Sequence, residues 1–555
     1  MYSKKLSVQL LGEVLYRYGI TDIIISPGSR NAPLTIHFTH HKKYTCYSIV
    51  DERSAAFFSL GMAQSKQKPV AICCTSGTAS ANYYPAIIEA FYQNVPMLVL
   101  TADRPENYVD IFDGQTIRQK EIYKNHIYGS FQLSESEEDH SIADNFLIIK
   151  KALQTCILKS GPVHINIPFS EPLYEQTEKI EINIEKLTLP ERGYSLENYD
   201  YLLPFWNRYD KKMILVGMQQ PNSELKILLD KIAKRKDTII LTEITSNINS
   251  SNLYSNIDRY ISPFGKDTME EYKPDLLLTI GQNVVSKKIK VFLRNSKLKG
   301  HWHLDEFWHP DTFFSLTEKI IDSPVNFLQK LVNQPHKDSN YSLIWEKLKN
   351  EKEKKHEVFV KNLPFCDLKV IKILNEKIPD HYNLQISNSS MIRYTQLFNF
   401  NSKHKIFCNR GASGIDGSSS TAVGFAVADK NPTLLITGDM GFFYDSNAFW
   451  NKYIPSNFRV ILINNGGGDI FKIIPGPDTT ESLNEFFVTQ HNRTGHTFAK
   501  EYNFEYIEVH HTEELLKNLD SFFNLSNNPK LLEINTKGKP NSTILREYFN
   551  FLNQE

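Results

Sequence analysis

A chain of 555 residues is too long for a single hydrophobic core, and its length alone predicts three or four domains. Lys plus Arg and Asp plus Glu balance at 63 each, so no global field favours nucleic acid or an anionic membrane surface. Six cysteines, at 46, 73, 74, 156, 366 and 408, contain no C-x-x-C pair, which argues against a disulfide scaffold or zinc ribbon and fits a reducing compartment.

The opening MYSKKLSVQLLGEVLYRYG reads as an amphipathic helix over 6–18 with no cleavage site, and no later run approaches the ~20 apolar residues of a membrane span. A cytoplasmic, soluble enzyme is expected. Strand and helix then alternate. Asp22 to Ile25 reads as a buried strand and SPGSR (26–30) as a turn into a helix at Ala32. Thr45 to Val50 is a strand running into Asp51-Glu52-Arg53, with a helix over 54–63. Pro69 to Cys74 is a strand ending in TSGTA. A helix over 84–93, a strand over 97–101 and a later strand over 162–167 complete a doubly wound parallel sheet.

Residues 176–198 are polar and charged, as in a linker. Strands at 212–216, 238–242, 275–280 and 301–305, with a helix at 223–236, predict a smaller α/β domain. A charged, solvated helix over 345–361 leads into the last domain. The expected architecture is three doubly wound parallel-sheet domains, at 1–178, 199–340 and 365–555.

The last domain contains the most informative stretch. Thr433 to Thr437 is a β-branched run ending in Gly438-Asp439, and Arg459 to Ile463 is a second, ending in Asn464-Asn465 and three glycines. Phe443, Ala448, Phe449 and Tyr453 between them have helical spacing. One βαβ unit results, and its two strand ends lie side by side at the carboxyl edge, where open α/β sheets bind ligands. Asp439 and Asn465 would offer hard oxygens to Mg²⁺, and the glycines would let the backbone approach a phosphate.

This pattern resembles the cofactor signature of thiamine diphosphate enzymes. The resemblance implies thiamine diphosphate with Mg²⁺ (or Mn²⁺) held by Asp439, Asn465 and the Gly467 carbonyl, with Gly438, Met440 and Ile470 also at the cofactor. Met440 stands where the family often has Gly. The three domains become pyrimidine-binding, central and diphosphate-binding. In such enzymes a strand-end carboxylate beside apolar walls shares a proton with the cofactor's aminopyrimidine ring, and Glu52, after YSIV and before SAAFFSLGMA, fits that role. A bulky apolar side chain bends the cofactor, and Ile415 is the candidate.

SPGSRNAPL (26–34), DERSAAFFSLGMA (51–63), TSGTASANYYPA (75–86), LTADRPE (100–106), DGQTIRQ (113–119), GPVHINIPFSEPLY (161–174), SNSSMIR (387–393) and CNRGASGIDG (408–417) resemble the 2-succinyl-5-enolpyruvyl-6-hydroxy-3-cyclohexene-1-carboxylate synthase family of menaquinone biosynthesis. That family joins 2-oxoglutarate, after decarboxylation, to isochorismate by a 1,4-addition. Two dianions call for fixed cations, preferably bidentate arginines. The matched stretches carry Arg30, Arg104, Arg393 and Arg410, and the resemblance adds Ser29, Gln115 and Ser389. The looser match in IGQNVVSKKIK adds Lys287, with Lys288 as the alternative. Active sites between subunits of a homodimer or tetramer are also implied. The rival readings are another thiamine diphosphate enzyme acting on pyruvate, such as an acetohydroxyacid synthase or 2-oxoacid decarboxylase, and a non-catalytic relative.

Overall fold

The computed structural model describes residues 1–182, 198–261 and 266–554. Most of the linker read at 176–198 lies outside them. Gln176–Thr177, at its start, pairs antiparallel with Tyr2–Ser3.

The first sheet comprises β1 (Asp22–Ile25), β2 (Thr45–Ser48), β3 (Val70–Cys74), β4 (Met97–Asp103), β5 (Ser130–Gln132) and β6 (Val163–Pro168), all parallel, in the order β2-β1-β3-β4-β6-β5. Its central strands are buried along their whole length, as near-continuous apolar runs require when helices cover both faces. β2 stops at Ser48, short of the expected Val50, because Asp51 turns the chain into helix α1 (Glu52–Lys66) and caps it, accepting the Ser54 N–H at 3.2 Å. Helix α2 (Tyr84–Gln93) begins with Pro85 in its first turn. The edge strand β5, three half-buried residues long, carries too little periodicity to be read from sequence.

The middle sheet contains β7 (Lys212–Val216), β8 (Thr238–Thr242), β9 (Leu276–Ile280), β10 (Gly300–Leu304) and β11 (Glu318–Ile320), parallel in the order β8-β7-β9-β10-β11. The helix expected over 223–236 ends at Ile232. Helix α3 (Lys287–Asn295) follows β9, and its N-cap Ser286 accepts the Ile289 N–H at 3.2 Å.

The third sheet contains β12 (Asn383–Ile386), β13 (Ile406–Phe407), β14 (Thr433–Gly438), β15 (Arg459–Asn464), β16 (Glu505–Val509) and β17 (Lys530–Asn535), in the order β13-β12-β14-β15-β17-β16. First and third sheets therefore share one topology, second-first-third-fourth-sixth-fifth, although their sequences do not look alike. Helix α4 (Asp367–Lys377) precedes this sheet, and α5 (Ser418–Ala428) precedes β14. Between β14 and β15 the helix is shorter than its apolar spacing suggested: α6 (Asp439–Tyr444), then a 3₁₀ turn over Ser446–Phe449. The break falls at buried Asp445, whose carboxylate accepts the Ser420 N–H at 2.7 Å and its Oγ–H at 2.8 Å.

One hydrophobic core runs from the first sheet into the third, through Phe57, Phe58, Val423, Leu435 and Phe449. At its centre α1 and α5 touch backbone to backbone. A Cβ on Gly61 would lie 1.9 Å from the Thr421 carbonyl oxygen, and one on Gly424 would lie 1.9 Å from that of Phe58. Among the described residues no helix is long and apolar enough to cross a membrane.

Candidate active site

In each six-stranded sheet the strand order reverses next to its first strand, at β1/β3 and at β12/β14. These are the switch points where open α/β sheets open a crevice at their carboxyl edge. The motifs lie there: 26–30 after β1, 75–79 after β3, 387–393 after β12 and Asp439 after β14.

Asp439 follows β14 and Asn465 follows β15, on adjacent strands paired Gly438 to Ile463. The Asp439 carboxylate accepts N–H groups from Met440 at 2.7 Å, Gly466 at 2.8 Å and Gly467 at 2.9 Å. His491 Nε2 lies 3.3 Å from the same carboxylate. Gly466 and Gly467 have φ of +84° and +153°, and a Cβ on Gly467 would be 2.6 Å from the Val488 carbonyl oxygen, so this loop needs glycine. Asn465 donates through Nδ2 to Asp367 at 3.0 Å, while its Oδ1 is buried without a partner. Burial pushes Asp367 up to about 7, against the donors Thr536 and Asn465, which favour its charged form. Ile415 lies against Gly441 in the first turn of α6, beside this edge.

The Arg393 group is next to it. Arg393 and Arg410 each have a buried Nε–H without a partner, half of the fork that grips a carboxylate. Arg410 donates through Nη1 to Asn388 Oδ1 at 3.1 Å, and Asn388 holds the 409–414 loop through the carbonyls of Asn409 and Gly414 at 2.5 and 2.7 Å. Burial, then neighbouring Arg410, lowers the Arg393 pKa. Ser389 has φ of +69°, strained for a residue with a Cβ, and precedes the short helix that carries Arg393.

Of the lysines, Lys287 is exposed in the first turn of α3. Lys288 turns away, donating to the Asp258 carbonyl at 3.1 Å and lying 3.4 Å over the Phe549 ring. Lys290, one turn on, faces the arginines: it donates to Asn283 Oδ1 at 3.3 Å, and Asn283 donates to the Arg410 carbonyl at 2.9 Å. Burial lowers its pKa, which Glu243 partly offsets. Glu243 accepts the Val285 and Ser286 N–H groups at 2.7 and 2.8 Å, and burial pushes it up to about 7.

The remaining candidates lie on the first sheet. Arg30 donates from its backbone to Thr75 Oγ1 at 3.2 Å and through Nη1 to the Phe169 carbonyl at 2.8 Å, leaving Nε–H buried and unpartnered. Ser29 and Tyr174 share a hydrogen bond of 3.0 Å. Gln115 and Ser76 exchange two, from Gln115 Nε2 at 2.7 Å and from Ser76 Oγ at 2.8 Å. Arg30 also pairs through Nη2 with Glu171 at 3.2 Å, and Arg104 pairs through Nε with Asp113 at 3.0 Å. Glu52 is half-buried. Burial, with Asp51 beside it, raises its pKa although its own backbone N–H opposes the shift. Capping belongs to Asp51, so Glu52 carries no capping bond.

The chain thus assembles two groups. Among the described residues no hydrogen bond or ion pair joins Glu52, Arg30, Arg104 or Gln115 to Asp439, Asn465, Arg393 or Arg410. Sequence reading missed Asp367, Glu89, Asn388, Lys290 and His491. Glu89 left one signal, a lone acid inside the apolar helix run YPAIIEAFYQ, where a buried charge needs partners.

Residues 7–127 match the family model of the thiamine pyrophosphate enzyme N-terminal TPP-binding domain. The chain is 44% identical over 550 residues to the 2-succinyl-5-enolpyruvyl-6-hydroxy-3-cyclohexene-1-carboxylate synthase of Flavobacterium psychrophilum, covering 99% of both chains. It is 45% identical over 555 residues to that of Christiangramia forsetii, covering 96% of both. With the synthase of Phocaeicola vulgatus it shares 36% over 564 residues, covering 100% of this chain and 99% of the relative.

Proposed function

This chain belongs to the 2-succinyl-5-enolpyruvyl-6-hydroxy-3-cyclohexene-1-carboxylate synthase family, and we propose on that premise that it decarboxylates 2-oxoglutarate and adds the remaining four-carbon unit to isochorismate, for menaquinone biosynthesis. When bound, thiamine diphosphate supplies the electron sink for decarboxylation and the carbon nucleophile for the addition. Asp439, Asn465 Oδ1 and the Gly467 carbonyl hold Mg²⁺ or Mn²⁺, as a set of hard oxygen donors suits. Gly438, Met440 and Ile470 line the cofactor, and Ile415 wedges it. Glu52 holds a proton against the aminopyrimidine ring nitrogen, and its raised pKa supports that sharing.

Arg30, Arg393 and Arg410, with Arg104 and Lys290 or Lys287, bind the carboxylates of the two substrates. Ser29, Gln115 and Ser389 add polar contacts. Membership of the family implies an active site built from two copies of the chain, in a homodimer or tetramer, and we place the enzyme in the cytoplasm.

One observation carries the reading: Asn465 Oδ1 is a buried oxygen without a protein partner, on the strand end beside Asp439, and a divalent ion would satisfy it. The test is loss of isochorismate absorbance on adding the protein, thiamine diphosphate, Mg²⁺ and 2-oxoglutarate, with each omitted in turn. Loss that requires every component is expected. CO₂ release from 2-oxoglutarate without loss of isochorismate overturns the acceptor. Turnover of pyruvate alone overturns the substrate pair in favour of an acetohydroxyacid synthase or decarboxylase.

A further inference from the structure

A side-chain amide can present either of two faces to a cation, and only its oxygen can ligate. Asn465 therefore serves as a metal ligand in one of its two amide orientations, and a flip of the side chain would turn an NH₂ group toward the ion. We propose that Asp367 is the residue that sets this orientation, by accepting the Asn465 Nδ2–H so that Oδ1 is left to the metal. The inference rests on the metal-site reading given above.

Asp367 is the first residue of α4 and is fully buried. Its two carboxylate oxygens are both used as acceptors. Oδ2 receives Asn465 Nδ2 at 3.0 Å, and Oδ1 receives the Thr536 hydroxyl at 2.6 Å. The Asp367 backbone N–H goes to Asn541 Oδ1 at 2.9 Å, which fixes the start of the helix. Thr536 in turn donates its N–H to the Asn464 carbonyl at 2.9 Å, so the carboxylate is anchored to the residue next to the one it orients. In its ionised form, which the Thr536 and Asn465 donors favour, the carboxylate has no hydrogen to donate. Turning the Asn465 amide over would set oxygen against oxygen in a buried place and lose the contact, a cost that water cannot relieve there. The unpartnered Oδ1 is the complement of this arrangement, since the donor end of the amide is spent on Asp367 and the acceptor end has no protein partner. Partners behind a metal ligand act in this way generally, and losing one weakens binding by about 10–100-fold.

Asp367 acts through Asn465 and is a positioning residue. The test is Mn²⁺ affinity, read from the free-ion EPR signal of the full chain with thiamine diphosphate, alongside thermal unfolding. Asp367→Asn should weaken Mn²⁺ by about 10–100-fold, because an amide at 367 can meet either face of Asn465. Adding Asn465→Asp to it exchanges donor and acceptor across the same contact, and the double variant should return to within a few-fold of the wild type. A purely structural role for Asp367 gives no such rescue. Asn465→Asp alone sets two carboxylates face to face and should bind Mn²⁺ weakly, so the gain from adding Asp367→Asn decides the matter even if Asp367→Asn by itself does not fold. Wild-type affinity in Asp367→Asn, or no gain in the double variant, overturns this inference and leaves the metal site standing. Wild-type protein that binds no Mn²⁺ overturns the metal site and the inference together.

Discussion

Glu89 accepts the backbone N–H of Gly411 at 2.6 Å, across 322 residues of sequence and between the first and third sheets. The same carboxylate takes the N–H groups of Ala412 at 2.7 Å and Ser413 at 3.3 Å, and a hydrogen bond from Gln93. The loop it grips runs from Arg410 to Ile415, so one buried acid on α2 holds the backbone between a proposed substrate arginine and the proposed cofactor wedge. Glu89→Gln replaces an accepting oxygen with an NH₂ group that opposes those N–H donors. It should lower stability by about 1–3 kcal/mol, read by urea denaturation, and raise the KM for the anionic substrates more than it weakens thiamine diphosphate. A variant with unchanged unfolding midpoint and KM contradicts the clamp.

Glu52→Gln separates chemistry from structure. Asp51 caps α1, so the change should leave the thermal midpoint and most of the cofactor affinity in place. A Gln cannot exchange a proton with the ring nitrogen, so kcat should fall by about 10²–10⁴. A Gln variant turning over at near wild-type rate would sink the assignment.

The lysines near α3 should divide in the same assay. Lys290 faces Asn283 and Arg410, whereas Lys287 is exposed. Lys290→Met should raise a substrate KM by about tenfold or more, the scale of one lost charged contact. Lys287→Met should stay within about twofold. The reverse ranking restores the motif-based alignment.

The strands, their parallel sense and the placing of motifs at their carboxyl ends were legible because buried parallel strands are near-continuous apolar runs. That Asp439 and Asn465 follow adjacent strand ends was legible because two short motifs closed one βαβ unit. The length of the helix between them was not. Its apolar spacing continues past Asp445, but that residue's side chain bonds Ser420 of a distant helix and ends the run, a tertiary effect that no local window contains. Asp367 and Lys290 were missed for a related reason. Asp367 lies outside every matched stretch and meets Asn465 only in the folded chain, while Lys290 ends the loosely matched IGQNVVSKKIK one helical turn after Lys287, where helix geometry turns it toward Asn283. The shared topology of the first and third sheets was also invisible, since strand order does not constrain which apolar residues fill a strand.

His37 gives acid sensitivity a specific source. It is buried, both ring nitrogens lack partners, and burial, with His41 adding to it, lowers its pKa to about 3. The unfolded value is about 6.5. Between those values the unfolded chain binds one proton more than the folded one, so stability falls as pH falls, by about 1.4 kcal/mol per pH unit for this residue. Above pH ~6.5 the term vanishes. His37→Leu has similar volume and no ring nitrogens to desolvate. It should match or exceed wild-type stability at pH 7.5, and its advantage should widen from pH 6 to pH 4. Urea midpoints that shift in parallel for the two proteins would show that another group carries the acid response.

The contact of α1 with α5 sets the distance between the first and third sheets. A methyl group at 424 would meet the Phe58 carbonyl oxygen at 1.9 Å, and one at 61 would meet that of Thr421 at the same distance. Both obstacles are backbone, which a rotamer change cannot move, so the helices themselves must separate. Ala is the better helix former by about 1 kcal/mol, so an isolated helix would gain from Gly424→Ala. In the protein, overpacking should outweigh that gain and destabilise by about 1–3 kcal/mol or more. Because α1 begins at Glu52 and α5 follows the loop of Arg410 and Ile415, activity should fall with stability, and lowering the temperature should recover less activity than folded protein. Thermal unfolding and activity of Gly424→Ala, set against Ala422→Gly as a helix-propensity control, measure both effects. A stabilised Gly424→Ala would mean that the two helices are held apart in solution.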